Sequence, residues 1–210
     1  MSSRYALGVF LKYPEPGRVK TRLAVALGAE SSAEVYRALA EQVLSQTGPL
    51  KRRYERTLFV TPEEGLDEFR RWLPNERIVP QRGDSLGERM AAAIGTLLMS
   101  SDFAVVIGSD IPDLDESHII SAFDVLASHD LVIGPAEDGG YYLVGMKRLY
   151  RPLFEGIAWS SPSVLSETCA KAEALGLSCR LLPELIDIDT VEDYRKWQSM
   201  QIIRMPCRGD

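Results

Sequence analysis

Acidic side chains stand directly after an apolar run in the middle of the chain, where they suit metal and phosphate chemistry. Asp110 follows the apolar segment 103–107 after only Gly108 and Ser109. A carboxylate at the end of a buried strand is costly to desolvate unless it is paired. Proteins usually hold Mg²⁺ or Mn²⁺ with one or two carboxylates together with substrate phosphates. We therefore predict that Asp110 is a metal ligand, whereas Asp113 caps the next helix or supports the site from behind.

A second acidic segment lies near the C-terminus, where aspartates alternate with isoleucines over residues 186–189. A predicted helix begins directly afterwards. Asp189 therefore has two interpretations: it caps that helix, or it completes the coordination of the same metal from the far side of a crevice.

A cationic loop follows the first apolar segment. Its four cations are Lys12, Arg18, Lys20 and Arg22, and it also contains Gly17 and Thr21. Cationic side chains and backbone N–H groups at a helix start form a binding site for phosphate. The spacing is not that of a Walker A loop, and no G-x-G-x-x-G is present. The loop is therefore either a phosphate-binding loop or a solvated, positively charged surface turn.

Two further loops carry groups that could contact a nucleotide or a sugar. In the segment 81–89, Gln81 could contact the edge of a base, and Gly83 and Gly87 would let a flat ring approach the backbone. The alternative is a capped helix start, with Asp84 or Ser85 as the cap.

The segment 134–142 joins Glu137 and Asp138 to Gly139 and Gly140. These acids could accept hydrogen bonds from sugar hydroxyls, while the glycines permit close approach to a ligand. The same residues are typical of a hairpin turn, and the two interpretations are compatible.

The elements that position these loops alternate along the chain. Hydrophobic periodicity predicts strands at 5–11, 57–60, 103–107, 131–133, 141–146 and 178–182, and helices at 31–47, 63–72, 85–99, 115–127, 162–175 and 190–198. Capping boxes are predicted at Ser31/Glu34 and Ser85/Glu88, and strand 141–146 is expected to run against its neighbours. This alternation indicates one α/β domain over residues 1–200 with a mostly parallel sheet and an irregular tail at 201–210. The ligand crevice should lie beyond the carboxyl ends of the strands.

The amino-acid composition argues against some classes of function. The 210 residues include 24 basic and 30 acidic side chains, a net charge of −6, and the pI is near 5.1. Such a balance argues against nucleic-acid binding. Three cysteines without metal-like spacing favour a reduced protein. No signal peptide and no apolar run of about 20 residues is visible, so a cytoplasmic protein without a membrane span is expected.

The order of these motifs resembles a known family. K-x-P-x-x-G-x-x-K-T-R-L, Q-x-G-x-x-L-G-E-R-M, G-S-D-x-P-D-L, G-P-A-x-D-G-G-Y-Y-L-V-G and D-I-D-T-x-E-D are similar to the bacterial nucleotide-diphospho-sugar transferase-like proteins. These are glycosyltransferases of arsenosugar-type gene neighbourhoods, related to molybdenum-cofactor nucleotidyltransferases and 2-phospholactate guanylyltransferase. The resemblance spans residues 5–198. It implies a GT-A fold, in which a Rossmann-like sheet binds a nucleotide diphosphate with Mg²⁺ or Mn²⁺.

The resemblance also implies roles for individual residues. Lys20 and Arg22 would contact phosphates, with Lys12, Gly17 and Thr21 in the same loop. Gln81, Gly83 and Gly87 would lie near the base. Asp110 and Asp189 would bind the metal, and Asp138, Gly139 and Gly140 would face the sugar or the acceptor. The first loop departs from the L-A-A-G-x-G-x-R of the pyrophosphorylases, which favours glycosyl transfer over nucleotidyl transfer.

Three functions follow as hypotheses. The first is metal-dependent glycosyl transfer from a nucleotide-diphospho-sugar to a small acceptor of unknown identity, with Asp138 or Glu137 as the base. The second is nucleotidyl transfer, which releases pyrophosphate from a nucleoside triphosphate. The third is a non-catalytic nucleotide-binding module. The apolar stretch 157–165 could also serve a homodimer.

Overall fold

A computed structural model describes residues 4–48 and 53–204 of the chain. Its strands are β1 (Tyr5–Lys12), β2 (Glu55–Thr61), β3 (Ile78–Pro80), β4 (Phe103–Ile107), β5 (Leu131–Pro135), β6 (Tyr141–Met146) and β7 (Cys179–Leu181). Its α-helices are α1 (Thr21–Leu27), α2 (Ala29–Gln46), α3 (Leu66–Trp72), α4 (Leu86–Leu98), α5 (Glu116–Leu126), α6 (Val164–Ala174) and α7 (Val191–Arg204). Short 3₁₀ helices lie at Glu63–Gly65 and Arg151–Phe154.

The strands form one mostly parallel sheet in the order β3-β2-β1-β4-β6-β5-β7. β1 pairs in parallel with β2 and with β4, and β5 pairs in parallel with β7. β6 is antiparallel to both of its neighbours, β4 and β5, which confirms the prediction for residues 141–146. The chain leaves β1 toward β2 and later returns to its other side as β4, so the direction of winding changes between β1 and β4.

Helices cover both faces of this sheet because its central strands are apolar on both faces. In β1, Leu7, Val9 and Leu11 pack in one core cluster with α2, α3 and α5. Ala6, on the opposite face of β1, packs in a second cluster with α4 and α6. Strands buried on both faces are typical of a parallel sheet covered by helices.

Side-chain caps fix where two helices begin. Ser85 and Glu88 form the predicted capping box of α4. The start of α5 differs from the prediction, because the cap is Asp115 rather than Asp113: the Asp115 carboxylate accepts hydrogen bonds from the backbone N–H groups of Ser117 and His118.

The first crossover also differs from the prediction. Gly28, with φ 82°, separates α1 from α2, a backbone conformation that residues with a Cβ rarely adopt. α2 therefore begins at Ala29, so Ser31 and Glu34 lie inside the helix and the predicted capping box is wrong. β3 was not predicted, because three residues ending in proline give no periodic signal.

The C-terminal part of the chain differs from the prediction as well. α7 continues to Arg204, so the tail is helical beyond residue 201, and residues 205–210 lie outside the described part of the chain. In the stretch 157–165, Ile157 and Val164 are buried within the chain itself. This stretch therefore presents less apolar surface than its sequence suggests.

Among the residues that the structure describes, no helix has both the length and the apolar character required to cross a bilayer.

Candidate functional site

A cavity of about 520 Å³ opens beyond the carboxyl ends of β1 and β4. This is the edge of the sheet where the winding direction changes, and ligands of open α/β sheets bind at such a point. The volume lies in the range of about 300–1,000 Å³ that is typical of small-molecule and cofactor sites. The cavity is therefore the candidate functional site.

Carboxylates from three parts of the chain line this cavity. Asp110 follows β4, Asp138 lies in the hairpin between β5 and β6, and Asp187 and Asp189 precede α7. The segment before α7 is held against the end of β4, because the Ile188 N–H donates a hydrogen bond of 3.3 Å to the Asp110 carbonyl oxygen.

Ile188 is buried between the two aspartates that flank it. Alternate side chains of an extended segment point the same way, so Asp187 and Asp189 both face the cavity. Asp189 does not cap α7. Instead, Thr190 and Asp193 bond reciprocally, the Asp193 N–H to Thr190 Oγ1 at 3.2 Å and the Thr190 N–H to the Asp193 carboxylate at 2.7 Å.

Lys20 carries positive charge into this acidic cluster. Its side chain is only 4% exposed, and its Nζ lies 2.8 Å from Asp110 Oδ2 and 3.7 Å from Asp189 Oδ1. Burial acts to lower the pKa of Lys20, but the nearby aspartates outweigh it and hold this pKa above its ordinary value. Burial likewise acts to raise the pKa of Asp110, and the Lys20 ammonium holds it below the ordinary value. The two groups are therefore a charged pair.

Arg22 extends this ion-pair network to the rim of the cavity. Its Nη1 lies 3.1 Å from Asp189 Oδ2, while its side chain remains 71% exposed. It does not line the cavity. A ligand phosphate at the rim could therefore contact the guanidinium while the Arg22 stem stays in solvent.

A buried tyrosine ties the two strand ends beneath the cluster. The Lys12 N–H donates to Tyr36 Oη at 2.8 Å, and Tyr36 Oη lies 3.0 Å from Ser109 Oγ. Tyr36 thus links the end of β1 to the residue before Asp110. In a sequence, a tyrosine on the apolar face of an amphipathic helix looks like an ordinary core residue. No sequence signal therefore indicates that Tyr36 supports the site.

The other side of the cavity combines amide, arginine and aromatic groups. Gln81 Nε2 donates to the Phe59 carbonyl oxygen at 2.9 Å, which fixes the orientation of the amide and leaves Oε1 and the second N–H of Nε2 for a ligand. Arg89 is held by a bond of 2.9 Å from its Nε to the Gly83 carbonyl oxygen. The Trp159 and Tyr141 rings meet edge to face, with centroids 6.3 Å apart, on the cavity wall.

The structure brings together about half of the residues predicted for the site. Those that line the cavity are Lys12, Lys20, Gln81, Asp110, Asp138, Gly140 and Asp189. Those that do not are Gly17, Thr21, Arg22, Gly83, Gly87 and Gly139.

Three of these glycines pack against protein atoms instead. A Cβ at Gly83 would lie 2.6 Å from Glu88 Cβ, one at Gly87 would lie 2.4 Å from the Phe154 carbonyl oxygen, and one at Gly139 would lie 2.3 Å from that of Pro162. The segment containing Gly139 is also a hairpin turn, as predicted, because the Ala136 N–H donates to the Gly140 carbonyl oxygen.

The carboxylates suit a hard divalent cation, since oxygen ligands are those that Mg²⁺ and Mn²⁺ prefer. Within residues 4–48 and 53–204, however, no three His, Cys, Asp or Glu side chains stand close enough to hold a metal as they are placed. Asp110 and Asp189 are both directed at the Lys20 ammonium. The donor set therefore fits a cation, and in this conformation the ammonium takes that position.

Comparison with family models identifies the chain. The model described as "Uncharacterized protein conserved in bacteria (DUF2064)" matches residues 44–161, more than half of the sequence. The chain belongs to this family.

Two relatives are similar to this DUF2064 protein over most of its length. A 3-phospho-D-glycerate guanylyltransferase from Phenylobacterium zucineum (strain HLK1) is 27% identical over an alignment of 199 residues, and the match covers 90% of this chain and 85% of the relative. A crystal structure from Desulfovibrio desulfuricans G20, described as a nucleotide-diphospho-sugar transferase, is 32% identical in sequence and has a TM-score of 0.91. The match covers 100% of this chain and 92% of the Desulfovibrio chain.

A more distant structure shares the fold. Glucosyl-3-phosphoglycerate synthase from Mycobacterium tuberculosis, in complex with Mn²⁺ and UDP, is 15% identical in sequence and has a TM-score of 0.57. The match covers 96% of this chain and 78% of the synthase chain. The DUF2064 protein therefore has the expected nucleotide-diphospho-sugar transferase fold. It is a transferase.

Among the acidic residues that line the cavity in the described part of the chain, Asp187 is the one that the sequence prediction did not include. Burial, followed by the charges of Asp138 and Asp110, raises its pKa from 3.8 to about 6. The alternation of acidic and apolar residues at 186–189 could have identified it, because it implies that both aspartates point the same way.

We predict that Asp187→Asn removes a pH dependence of stability. Because the folded-state pKa of Asp187 lies above its ordinary value, the folded protein binds this proton more tightly and loses stability as the pH rises from about 4 to about 6. The melting temperature of the wild type, measured by circular dichroism with a chelator, should fall relative to that of Asp187→Asn across this window. Parallel pH profiles for the two proteins would contradict the assignment.

Proposed function

We propose that this DUF2064 protein is a divalent-metal-dependent glycosyltransferase that uses a nucleotide-diphospho-sugar donor. The observation that carries the proposal is the convergence of Asp110, Asp187 and Asp189 with Lys20 in one cavity at the carboxyl edge of the sheet. Carboxylates that hold a metal, next to cations that contact phosphates, are what a diphosphate leaving group requires.

Asp110 and Asp189 would hold the metal, with Asp187 beside them in the cavity lining. When bound, the metal supplies electrostatic stabilisation of the charge that develops on the diphosphate. Lys20 and Arg22 contact the phosphate oxygens, with Lys12 at the inner end of the same loop. Gln81 contacts the edge of the base with the amide atoms that its bond to the Phe59 carbonyl oxygen leaves available, namely Oε1 as acceptor and the second Nε2 hydrogen as donor.

The acceptor reacts on the side of the cavity formed by Asp138, Gly140 and Trp159. The bond between the anomeric carbon and the diphosphate oxygen breaks, and a bond from that carbon to the acceptor oxygen forms. The Asp138 carboxylate accepts the proton from the acceptor hydroxyl. One Asp138 oxygen already accepts the Gly140 N–H at 2.8 Å, which fixes the orientation of the carboxylate.

A second candidate reaction is nucleotidyl transfer. It is favoured by the 27% identical relative, a 3-phospho-D-glycerate guanylyltransferase. In that reaction the acceptor oxygen attacks the α-phosphate of a nucleoside triphosphate, and pyrophosphate leaves. The same carboxylates and cations serve both reactions, so the product distinguishes them.

The first experiment is a thermal-shift panel of nucleoside diphosphates, nucleotide sugars and nucleoside triphosphates, each with and without Mg²⁺ or Mn²⁺. A ligand that binds the native state raises its melting temperature, so the proposal requires a metal-dependent shift with a diphosphate or its sugar. The donor so found is then incubated with candidate acceptors, and release of the nucleoside diphosphate is measured.

A parallel reaction contains GTP, Mg²⁺ and 3-phospho-D-glycerate and is assayed for pyrophosphate. Pyrophosphate release, together with shifts from triphosphates alone, would replace glycosyl transfer with nucleotidyl transfer. Binding without turnover for every acceptor would support the non-catalytic nucleotide-binding module.

A further inference from the structure

The Lys20 ammonium lies where a cation would bind between the acidic side chains. It is within 2.8 Å of Asp110 and 3.7 Å of Asp189, and the charge of Asp187 acts on it as well. In the described part of the chain, Arg22 is the other cation paired with these aspartates, and it reaches Asp189 from the rim. Lys20 is thus the counter-ion inside the cluster.

The backbone at Lys20 is shaped for this contact rather than for helix capping. Lys20 has φ 46° and ψ 47°, and it is the N-cap residue of α1 without a side-chain cap bond. A residue with a Cβ adopts this left-handed conformation only at a cost in free energy. Such strain persists where the surrounding structure enforces it, and here it accompanies a side chain buried against Asp110.

We propose that Lys20 is a built-in counter-ion that competes with divalent metal for Asp110 and Asp189, so that the metal binds together with the nucleotide and poorly without it. The inference rests on the proposed function and specifies its ligand as the metal–nucleotide complex. Free metal would have to displace an ammonium that is tethered beside the carboxylates and therefore present at high effective concentration.

The nucleotide changes this balance because it brings phosphates. A buried ammonium that loses its carboxylate without a new partner is strongly disfavoured. Phosphate oxygens provide that partner, so Lys20 can exchange Asp110 for the ligand while the metal takes its place. A ligand shifts a conformational equilibrium only through its different affinity for the two states, and the metal–nucleotide complex supplies that difference.

The test measures binding of Mn²⁺ alone to the chelator-treated full-length protein, by electron paramagnetic resonance of the unbound ion. Removal of the ammonium in Lys20→Met should tighten Mn²⁺ binding about tenfold or more, because an adjacent cation lowers the affinity of a carboxylate for a proton by about that factor or more. The matched control is Lys12→Met, which removes another cation of the cavity lining whose charge acts on Asp110 less strongly than that of Lys20. It should change Mn²⁺ affinity about threefold or less, since the Lys12 charge acts on Asp110 more weakly than the Lys20 charge does.

A second variant keeps the test decisive if Lys20→Met fails to fold. Lys20→Gly removes the ammonium and also relieves the left-handed strain, because glycine adopts this conformation readily. It should show the same gain in Mn²⁺ affinity. In the wild type, a saturating nucleotide from the thermal-shift panel should tighten Mn²⁺ binding, and this gain should shrink in both Lys20 variants.

Unchanged or weaker Mn²⁺ binding by both folded Lys20 variants would overturn the inference, as would wild-type Mn²⁺ binding that is equally tight with and without nucleotide. Failure of the proposed function gives a different pattern. If the cavity is not a nucleotide site, no nucleotide binds to any of the proteins with or without metal; this result removes the coupling between metal and nucleotide, while the gain in the Lys20 variants still identifies the counter-ion. If the reaction is nucleotidyl transfer, a nucleoside triphosphate takes the place of the diphosphate donor in the same test.

Discussion

Asp110→Asn should lower the rate of transfer by about a thousandfold, the upper range observed when one electrostatic group of a transition-state site is removed. Asparagine keeps the shape of the side chain but removes the charge that pairs with Lys20 at 2.8 Å and that would bind the metal. The measurement is a single-turnover rate with the donor identified by the thermal-shift panel. Retention of more than a tenth of the wild-type rate would remove Asp110 from the reaction.

The same substitution should cost stability because it leaves the ammonium without its nearest partner. Removal of one member of a fully buried pair costs about 3–5 kcal/mol. The Asp110 side chain is 35% exposed, so solvent screening reduces the expected cost to about 1–2 kcal/mol. Asp67→Asn is the matched control: this aspartate is 83% exposed and pairs with Arg70 within α3, and its loss should change neither the rate nor the free energy of unfolding measurably.

Gly87→Ala should destabilise the protein by about 1–3 kcal/mol, the usual cost of overpacking, although alanine normally stabilises a helix relative to glycine. Gly87 lies in the first turn of α4, where an added Cβ would stand 2.4 Å from the Phe154 carbonyl oxygen and 2.8 Å from the Trp159 ring. Backbone and a packed ring cannot move away easily. The displaced Trp159 would also deform the cavity wall, so nucleotide or acceptor binding should weaken.

Gly95→Ala in the same helix provides the control. Its Cβ would meet only Leu149 Cδ2, at 3.5 Å, which is ordinary contact. The propensity of alanine should then dominate and stabilise the protein by about 0.5–1 kcal/mol. Urea denaturation of both variants gives the two free energies of unfolding. Equal effects of the two substitutions would show that Gly87 does not pack as described.

The sequence predicted the edge of the sheet where the site lies better than it predicted the contacts within it. Asp110 and Asp138 each follow a predicted strand, and the rule that ligands bind beyond the carboxyl ends of parallel strands brings their loops together. The ion pairs within the site could not be predicted in this way. Lys20 and Asp110 are 90 positions apart, and Arg22 and Asp189 are 167 apart, so no local pattern reveals which cation faces which carboxylate.

The glycines illustrate the same limit. From the sequence, Gly87 and Gly139 are equally good candidates for close approach to a ligand, because the absence of a Cβ serves a ligand and a neighbouring chain segment alike. In the structure the segments that approach them are Phe154 and Pro162, which are distant in sequence. Tyr36 shows the converse: its apolar ring fits the helix periodicity, and nothing local predicts that its hydroxyl contacts both strand ends.

The two outermost strands of the sheet have a consequence for assembly. β3 and β7 each contain only three residues, and β3 ends in Pro80, which has no N–H to donate. Short edges interrupted by proline are poor templates for a further strand. The protein should therefore resist edge-to-edge aggregation at high concentration, and a partner that associates with it would contact its helices or loops rather than extend its sheet.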